Sequence, residues 1–184
     1  MHIGILALQG AVTPHFPHLN ALGATFSEVR AADDLKNIDG LILPGGESSV
    51  MLKLIDVYDM KHALTAFLKT KPAWGICAGA ILMARTVKNP EQFSFGAMEF
   101  TAARNAYGSQ LDSFHAEVDD YPVSFIRAPQ FADIAAGVTV KAMHRDQPIW
   151  LEAGNKMCTA FHPELTPSYP SPMHQSFARL MKAT

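Results

Sequence analysis

Ala73-Trp74-Gly75-Ile76-Cys77-Ala78-Gly79 is the stretch on which the fold turns. Ala73 to Ile76 form a short apolar run, and Ala80 to Ala84 suit a helix. The spacing predicts a strand, a sharp corner and a helix, with a thiol at the corner. Gly75 and Gly79 flank Cys77 at two residues on each side and lack the Cβ atoms that would crowd such an elbow. A cysteine there sits at a helix N-terminus, whose partial positive charge favours thiolate. The plainer alternative is a buried structural cysteine in a small-residue turn.

Upstream, Ile3-Gly4-Ile5-Leu6-Ala7-Leu8 is apolar and branched, as in a strand buried on both faces of a parallel sheet. Gln9-Gly10-Ala11 turns the chain at its C-terminal end, where open α/β sheets place ligands. Thr13-Pro14 suggests an N-cap and first helical residue. Pro17 would remove a backbone bond from that helix, which should therefore start late or distort near Phe16. His15 and His18, three apart, have no third ligand nearby in sequence and are expected to be solvated or packed on the helix. Thr25 to Val29 and Leu41 to Leu43 are further strands. After Leu43 comes Pro44-Gly45-Gly46-Glu47-Ser48. Adjacent glycines there can turn N–H groups outward toward a developing anion, or form a turn with no such role. The stretch lacks the spacing of a dinucleotide loop and the Gly-Lys-Ser/Thr ending of a P-loop. Ser49 to Tyr58 and Lys61 to Lys69 are helical, the latter with Ala63, Leu64, Phe67 and Leu68 on one face. The order is that of a doubly wound α/β fold, with three loops at one edge of a mostly parallel, flavodoxin-like sheet and flanking helices.

Downstream of Asn89 the pattern changes to short strands, several of them antiparallel: Phe95 to Ala103, Ser113 to Val118, Val123 to Ile126, Val138 to Met143, Ile149 to Leu151 and Met157 to Ala160. Asn105-Ala106-Tyr107-Gly108 is a predicted turn and Asp119-Asp120 a solvated loop. In Phe161-His162-Pro163-Glu164 the proline keeps His162 extended. Residues two apart in an extended chain face one way, which sets an imidazole beside a carboxylate. Met173 to Lys182 closes the chain as a helix with Phe177, Leu180 and Met181 inward.

The 184 residues fit one domain spanning 1–184 with a substantial core. A hydrophobic share of 48% argues against wholesale disorder. Net charge of −2 gives no electrostatic case for nucleic acid or an anionic membrane. No apolar run approaches the roughly 18 residues that span a bilayer. The start, Met1-His2-Ile3-Gly4, lacks the basic region of a signal peptide, and two distant cysteines suit a reducing cytosol.

Cys77, His162 and Glu164 are the parts of a nucleophilic triad, with backbone N–H groups of Gly46 and Ala78 as an oxyanion hole. Taken singly, His162 can be a satisfied strand-end histidine and Glu164 a surface carboxylate. Gly-x-Cys-x-Gly with a downstream His-Pro-Glu resembles the triad (class I) glutamine amidotransferases. More narrowly, Leu8-Gln9-Gly10-Ala11-Val12, Asp39 to Ser48, Arg104-Asn105 before Asp112-Ser113-Phe114, Phe125 to Pro129 and Phe161 to Thr166 are similar to the glutaminase subunits of pyridoxal 5′-phosphate synthase. That resemblance implies hydrolysis of glutamine to glutamate and ammonia, with no cofactor and no metal. The ammonia would pass to a separate synthase subunit in a hetero-oligomer. It also implies a glutamine site at Gly46, Glu47, Ser48, Arg104, Ile126 and Arg127, and partner-dependent activation through Gln9. Thr13 to Pro17, Ser109 and Ile76 depart from that family's usual pattern, none of them at the triad. Glutaminases of histidine or guanine nucleotide synthesis, a cysteine hydrolase of similar fold, and a non-enzymatic regulator are the competing readings. The hydrolases usually place histidine after the elbow cysteine, where Ala78 stands here, and a regulator would be expected to lose a triad member.

Overall fold

The computed structural model describes residues 1–104 and 113–183. The turn expected at Asn105 to Gly108, with Ser109 and Asp112, lies outside the described residues. The first half runs β1 (His2–Leu6), α1 (Phe16–Ala21), β2 (Thr25–Val29), β3 (Gly40–Leu43), α2 (Ser48–Val57), α3 (Lys61–Thr70), β4 (Ala73–Ile76) and α4 (Ala78–Met83). The second half runs β5 (Ala84–Lys88), β6 (Met98–Ala103), β7 (Ser113–Val118), β8 (Tyr121–Ile126) and β9 (Gln130–Ala132). It ends with β10 (Thr139–His144), β11 (Gln147–Ala153), β12 (Lys156–Thr159) and α5 (Pro172–Lys182).

The main sheet has the order β10-β11-β12-β4-β3-β1-β2. From β12 to β2 every neighbouring pair is parallel, and β10-β11 and β11-β12 are antiparallel. Counting β12 as the fifth parallel strand, the order is 2-1-3-4-5, the doubly wound arrangement whose switch point lies between β1 and β3. Strands β3, β4 and β12 are buried along their whole length; β3 and β4 are accordingly continuous apolar runs, whereas β12 opens with Lys156, whose ammonium donates to Lys71 O at 2.9 Å, and ends with Thr159. There are two smaller sheets, β5-β6-β9 and β7-β8, of which β6 to β9 fall in the strand region expected after Asn89.

Alternation along β4 assigns the two faces. Trp74, fully buried, meets His15 beside α1 and His174 and Phe177 of α5. Its indole N–H donates to Thr159 Oγ1 at 3.2 Å. The neighbouring Gly75 points the other way, onto the first turn of α4. Turn chemistry sets the hairpins: Asp119-Asp120 and Arg145-Asp146 all have positive φ, the geometry of tight two-residue connections.

Some boundaries differ from the sequence reading. Thr13 lies inside a 3-10 turn, Thr13–His15, and Val12 precedes it as cap without a side-chain bond. The α-helix starts at Phe16, so Pro17 falls in its first turn, where its missing N–H has no intrahelical partner to lose. Strand β5 was not predicted, because α4 passes into it at Ala84 without a glycine or proline to mark the break. His15 and His18 are fully buried rather than solvated.

Candidate active site

Cys77 stands between β4 and α4 with φ +49 and ψ −102. Such a conformation costs a non-glycine residue on the order of 1–3 kcal/mol and persists only where surrounding bonds impose it. Here the Cys77 N–H donates to Thr159 O at 2.8 Å, and its carbonyl accepts from the Ile81 N–H at 3.1 Å. A Cβ at Gly79 would run into the Leu43 carbonyl, and one at Gly75 would come within 2.6 Å of Gly79 O. The elbow glycines are therefore required by close backbone approach.

His162 follows β12. Its N–H donates to Ser124 O at 2.8 Å, tying it to β8. Its ring lies over Gly45, where a Cβ would strike the imidazole. His162 Nδ1 and Glu164 Oε1 are 2.7 Å apart. That bond occupies Nδ1 and leaves Nε2 as the nitrogen available to Cys77, whose charge and proximity act on the imidazole. The side chains meet as expected, but not along one extended strand: Glu164 sits in a 3-10 turn, Pro163–Leu165. Proline at its first position fits that turn, which swings the carboxylate back beneath the ring.

Burial pulls the His162 pKa down, but hydrogen bonds and charge from Cys77 and Glu164 outweigh it and push the pKa up to about 10. For Glu164, burial acts to raise the pKa, and the His162 bond and charge reverse this, so it lies below its ordinary value. The pair is thus an imidazolium and a carboxylate, enclosed and charge-assisted.

A cavity of about 390 Å³ opens at the carboxyl ends of β1, β3 and β4. Gln9, Gly46, Glu47, Ser48, Ala78, Arg104, Ile126 and Arg127 all line it together with Cys77 and His162, and Glu164 lies behind the imidazole. Arg104 Nη2 donates to Glu47 Oε1 at 3.2 Å across the cavity. Cys77 Sγ lies 3.8 Å from the Ile126 carbonyl. Gln9 Oε1 accepts the Glu47 N–H at 2.8 Å, fastening the first βα loop to the glycine loop. Ser48 Oγ donates to Gln92 Oε1 at 3.1 Å.

Sequence reasoning did not name Gly45, Gln92, Pro129 or Leu165 as site residues, and these line or brace the cavity. It also missed Tyr121, whose O–H donates to Ser168 O at 2.7 Å beside the carbonyls of Thr166 and Pro163. Gly45 was within reach as half of the Gly-Gly pair. Tyr121 carried no motif. The third histidine expected to be lacking beside His15 and His18 is His174, 159 residues from His15. The three nitrogen sets do not converge on one point: His15 Nδ1 lies 2.9 Å from His174 Nε2, and His18 stacks on His174 at 4.1 Å. Among the described residues no group of histidine, cysteine and carboxylate has the arrangement of a metal site.

The SNO glutamine amidotransferase family matches residues 5–182. A curated relative from Bacillus anthracis (strain CDC 684 / NRRL 3495), a pyridoxal 5′-phosphate synthase subunit PdxT, is 44% identical over 89% of this chain and 87% of its own. Its namesake from Brevibacillus brevis (strain 47 / JCM 6285 / NBRC 100599) is 40% identical over 99% and 98%. A solved glutamine amidotransferase superposes with a TM-score of 0.87 at 36% identity, covering 98% of both chains. PurLQS from Thermotoga maritima, at 17% identity and a TM-score of 0.58 over 97% of each chain, shares the fold. Matched nearly from end to end, the chain belongs to the SNO glutamine amidotransferase family.

Proposed function

We propose that this chain, as one glutaminase domain over residues 1–184, hydrolyses L-glutamine and hands the ammonia to a pyridoxal 5′-phosphate synthase subunit in a cytosolic hetero-oligomer. One observation carries the chemistry: a strained elbow cysteine shares a cavity wall with an imidazole that a buried carboxylate orients, and an Arg104–Glu47 ion pair lines the same cavity. The partner assignment draws on the PdxT relatives, with which the chain shares 40–44% identity. Those relatives favour this pathway over histidine or guanine nucleotide synthesis.

With the proton it shares with Cys77 already resting on His162, the Cys77 sulfur attacks the glutamine carboxamide carbon. The carbonyl oxygen becomes an oxyanion held by the N–H groups of Gly46 and Ala78. His162 returns the proton to the leaving nitrogen, ammonia departs, and a thioester remains on Cys77. Water then attacks, with His162 taking its proton, and glutamate leaves as the thiol reforms. Arg104 and Glu47 are matched in sign to the α-carboxylate and α-ammonium of a free amino acid, which would open their mutual ion pair. Ser48, Ile126 and Arg127 shape the remainder of the site. The Gln9–Glu47 bond couples the glycine loop to a surface element, so docking there can gate the oxyanion donors.

The test is ammonia release from glutamine with and without the synthase subunit. Wild type should be active in the complex, and Cys77→Ala should be silent while keeping its fold by circular dichroism. A glutamine-like diazo-ketone should add mass at Cys77 and not at Cys158, which is fully buried and whose thiol pKa burial raises. Ammonia release by Cys77→Ala, or labelling confined to Cys158, would overturn the mechanism.

A further inference from the structure

Behind the triad lies a buried histidine cluster that the reaction as drawn does not use. His15, His18 and His174 come from the turn before α1, from α1 and from α5, and none is more than 1% exposed. Two enclosed polar atoms have no hydrogen-bond partner among the described residues and belong to residues that interact electrostatically: His15 Nε2 and Glu164 Oε2. Such atoms are rare in folded proteins and call for an explanation.

Tautomers supply one. His18 Nδ1 accepts the Ser171 N–H at 3.1 Å, so His18 is neutral with its hydrogen on Nε2, facing Glu164 O at 3.4 Å. His174 Nδ1 lies 2.7 Å from Ser171 Oγ, and that oxygen already accepts the His174 backbone N–H at 3.2 Å. The serine hydrogen is therefore free to be given to His174 Nδ1. The His174 hydrogen then sits on Nε2 and points to His15 Nδ1, 2.9 Å away. His15 must carry its hydrogen on Nε2, the orphaned nitrogen. The opposite arrangement would leave the serine with a surplus hydrogen and set a bare imidazole lone pair near a carboxylate. The first direction satisfies Ser171, His174 and His18 and leaves His15 Nε2 a donor with no partner among the described residues.

We propose that His15 is a positioning residue for Glu164: its Nε2–H holds the second carboxylate oxygen across one enclosed water, in a one-way chain Ser171 to His174 to His15 to Glu164 to His162. Burial, the largest influence, lowers the His15 pKa to about 4, against the opposing charge of Glu164 and reinforced by His18 and His162. The link is thus a neutral donor rather than a second cation. The inference rests on the triad reading above and deepens it.

Glutamine and asparagine separate the two nitrogens of His15. The glutamine amide nitrogen reaches the Nε2 position, whereas the asparagine amide reaches only the Nδ1 position. In the synthase complex, His15→Asn should lower kcat about tenfold or more, the worth of one hydrogen bond to a charged group, with KM nearly unchanged. His15→Gln should keep most of the wild-type kcat. On the free chain, the downfield proton resonance of the His162–Glu164 bond should survive in His15→Gln and move or vanish in His15→Asn. This NMR readout does not depend on glutaminase activity, so an inactive wild-type complex would count against the function and not against the positioning. If His15→Asn does not fold, His174→Gln and His174→Asn give the same contrast, because only Gln keeps the hydrogen directed at His15. Equal kcat and equal spectra for the Gln and Asn variants, or a loss confined to KM, would overturn the proposal.

Discussion

At the level of single residues, His162 balances a burial penalty against two partners, and the partners win. Glu164→Gln keeps the shape but removes the charge that sustains the imidazolium. Ammonia release in the synthase complex should fall at least about 100-fold, as for an orienting carboxylate exchanged for its amide. Gly45→Ala should be comparably damaging by a different route, since the new Cβ displaces the imidazole from the thiol, and misplacement by about 1 Å costs near 100-fold. Steady-state kcat of both variants checks this, and a Gly45→Ala enzyme with wild-type kcat would show that the ring position is not critical. Cys77, His162 and Glu164 were legible because each sits in a short local signature: a glycine-flanked corner and a histidine before proline. The orientation of Glu164 was legible only in outcome, since the chain winds into a 3-10 turn where an extended segment was expected. The partnership of His15 with His174 was invisible, because 159 residues separate two residues that no local pattern connects.

At the level of elements, the segment that carries Glu164 is held by β8. The Tyr121 hydroxyl reaches three carbonyls, those of Pro163, Thr166 and Ser168, at 3.4, 3.1 and 2.7 Å. It has one hydrogen, which the shortest contact takes, and burial pushes its pKa up to about 12, so that hydrogen stays in place. Tyr121→Phe should therefore cost about 1 kcal/mol of stability and lower kcat several-fold through looser placement of Glu164. Urea midpoints and glutaminase kinetics measure the two effects, and a stable variant with normal kcat would show that Thr166, bonded to Pro122 O, holds the segment without help. The parallel strands were readable because burial on both faces demands continuous apolar runs, as in Leu41 to Leu43. Strand β9, only three residues long, and β5, whose flank is a helix rather than a turn, gave no such pattern.

At the scale of the whole molecule, the order β2-β1-β3-β4-β12 brings the loops after β1, β3, β4 and β12 to one edge, although residues 9 and 162 are far apart in the chain. Concentrating this chemistry in one core leaves the fold with buried titrating groups of opposite habit, and these give stability a definite pH shape. The His15, His18 and His174 pKa values all lie below 6.5, burial being the main cause in each. Below pH 6.5 the unfolded chain gains protons that the folded chain refuses, so stability falls with pH, by up to about 1.4 kcal/mol per pH unit for each histidine. Glu164, lowered in the fold, adds to the loss once pH drops below its ordinary value of 4.5. His162 acts in the other direction: its contribution is complete below 6.5 and is lost as pH rises toward about 10. Stability should therefore peak near pH 6.5, fall by about 2 kcal/mol or more by pH 5, and decline again through pH 8 to 10. Urea midpoints across pH 4.5–10 trace the curve. Glu164→Gln should flatten its alkaline side, since His162 then keeps only Cys77 to sustain its charge. A wild-type curve level from pH 5 to 9 would mean that the histidine cluster opens to water and takes up protons without loss of the fold.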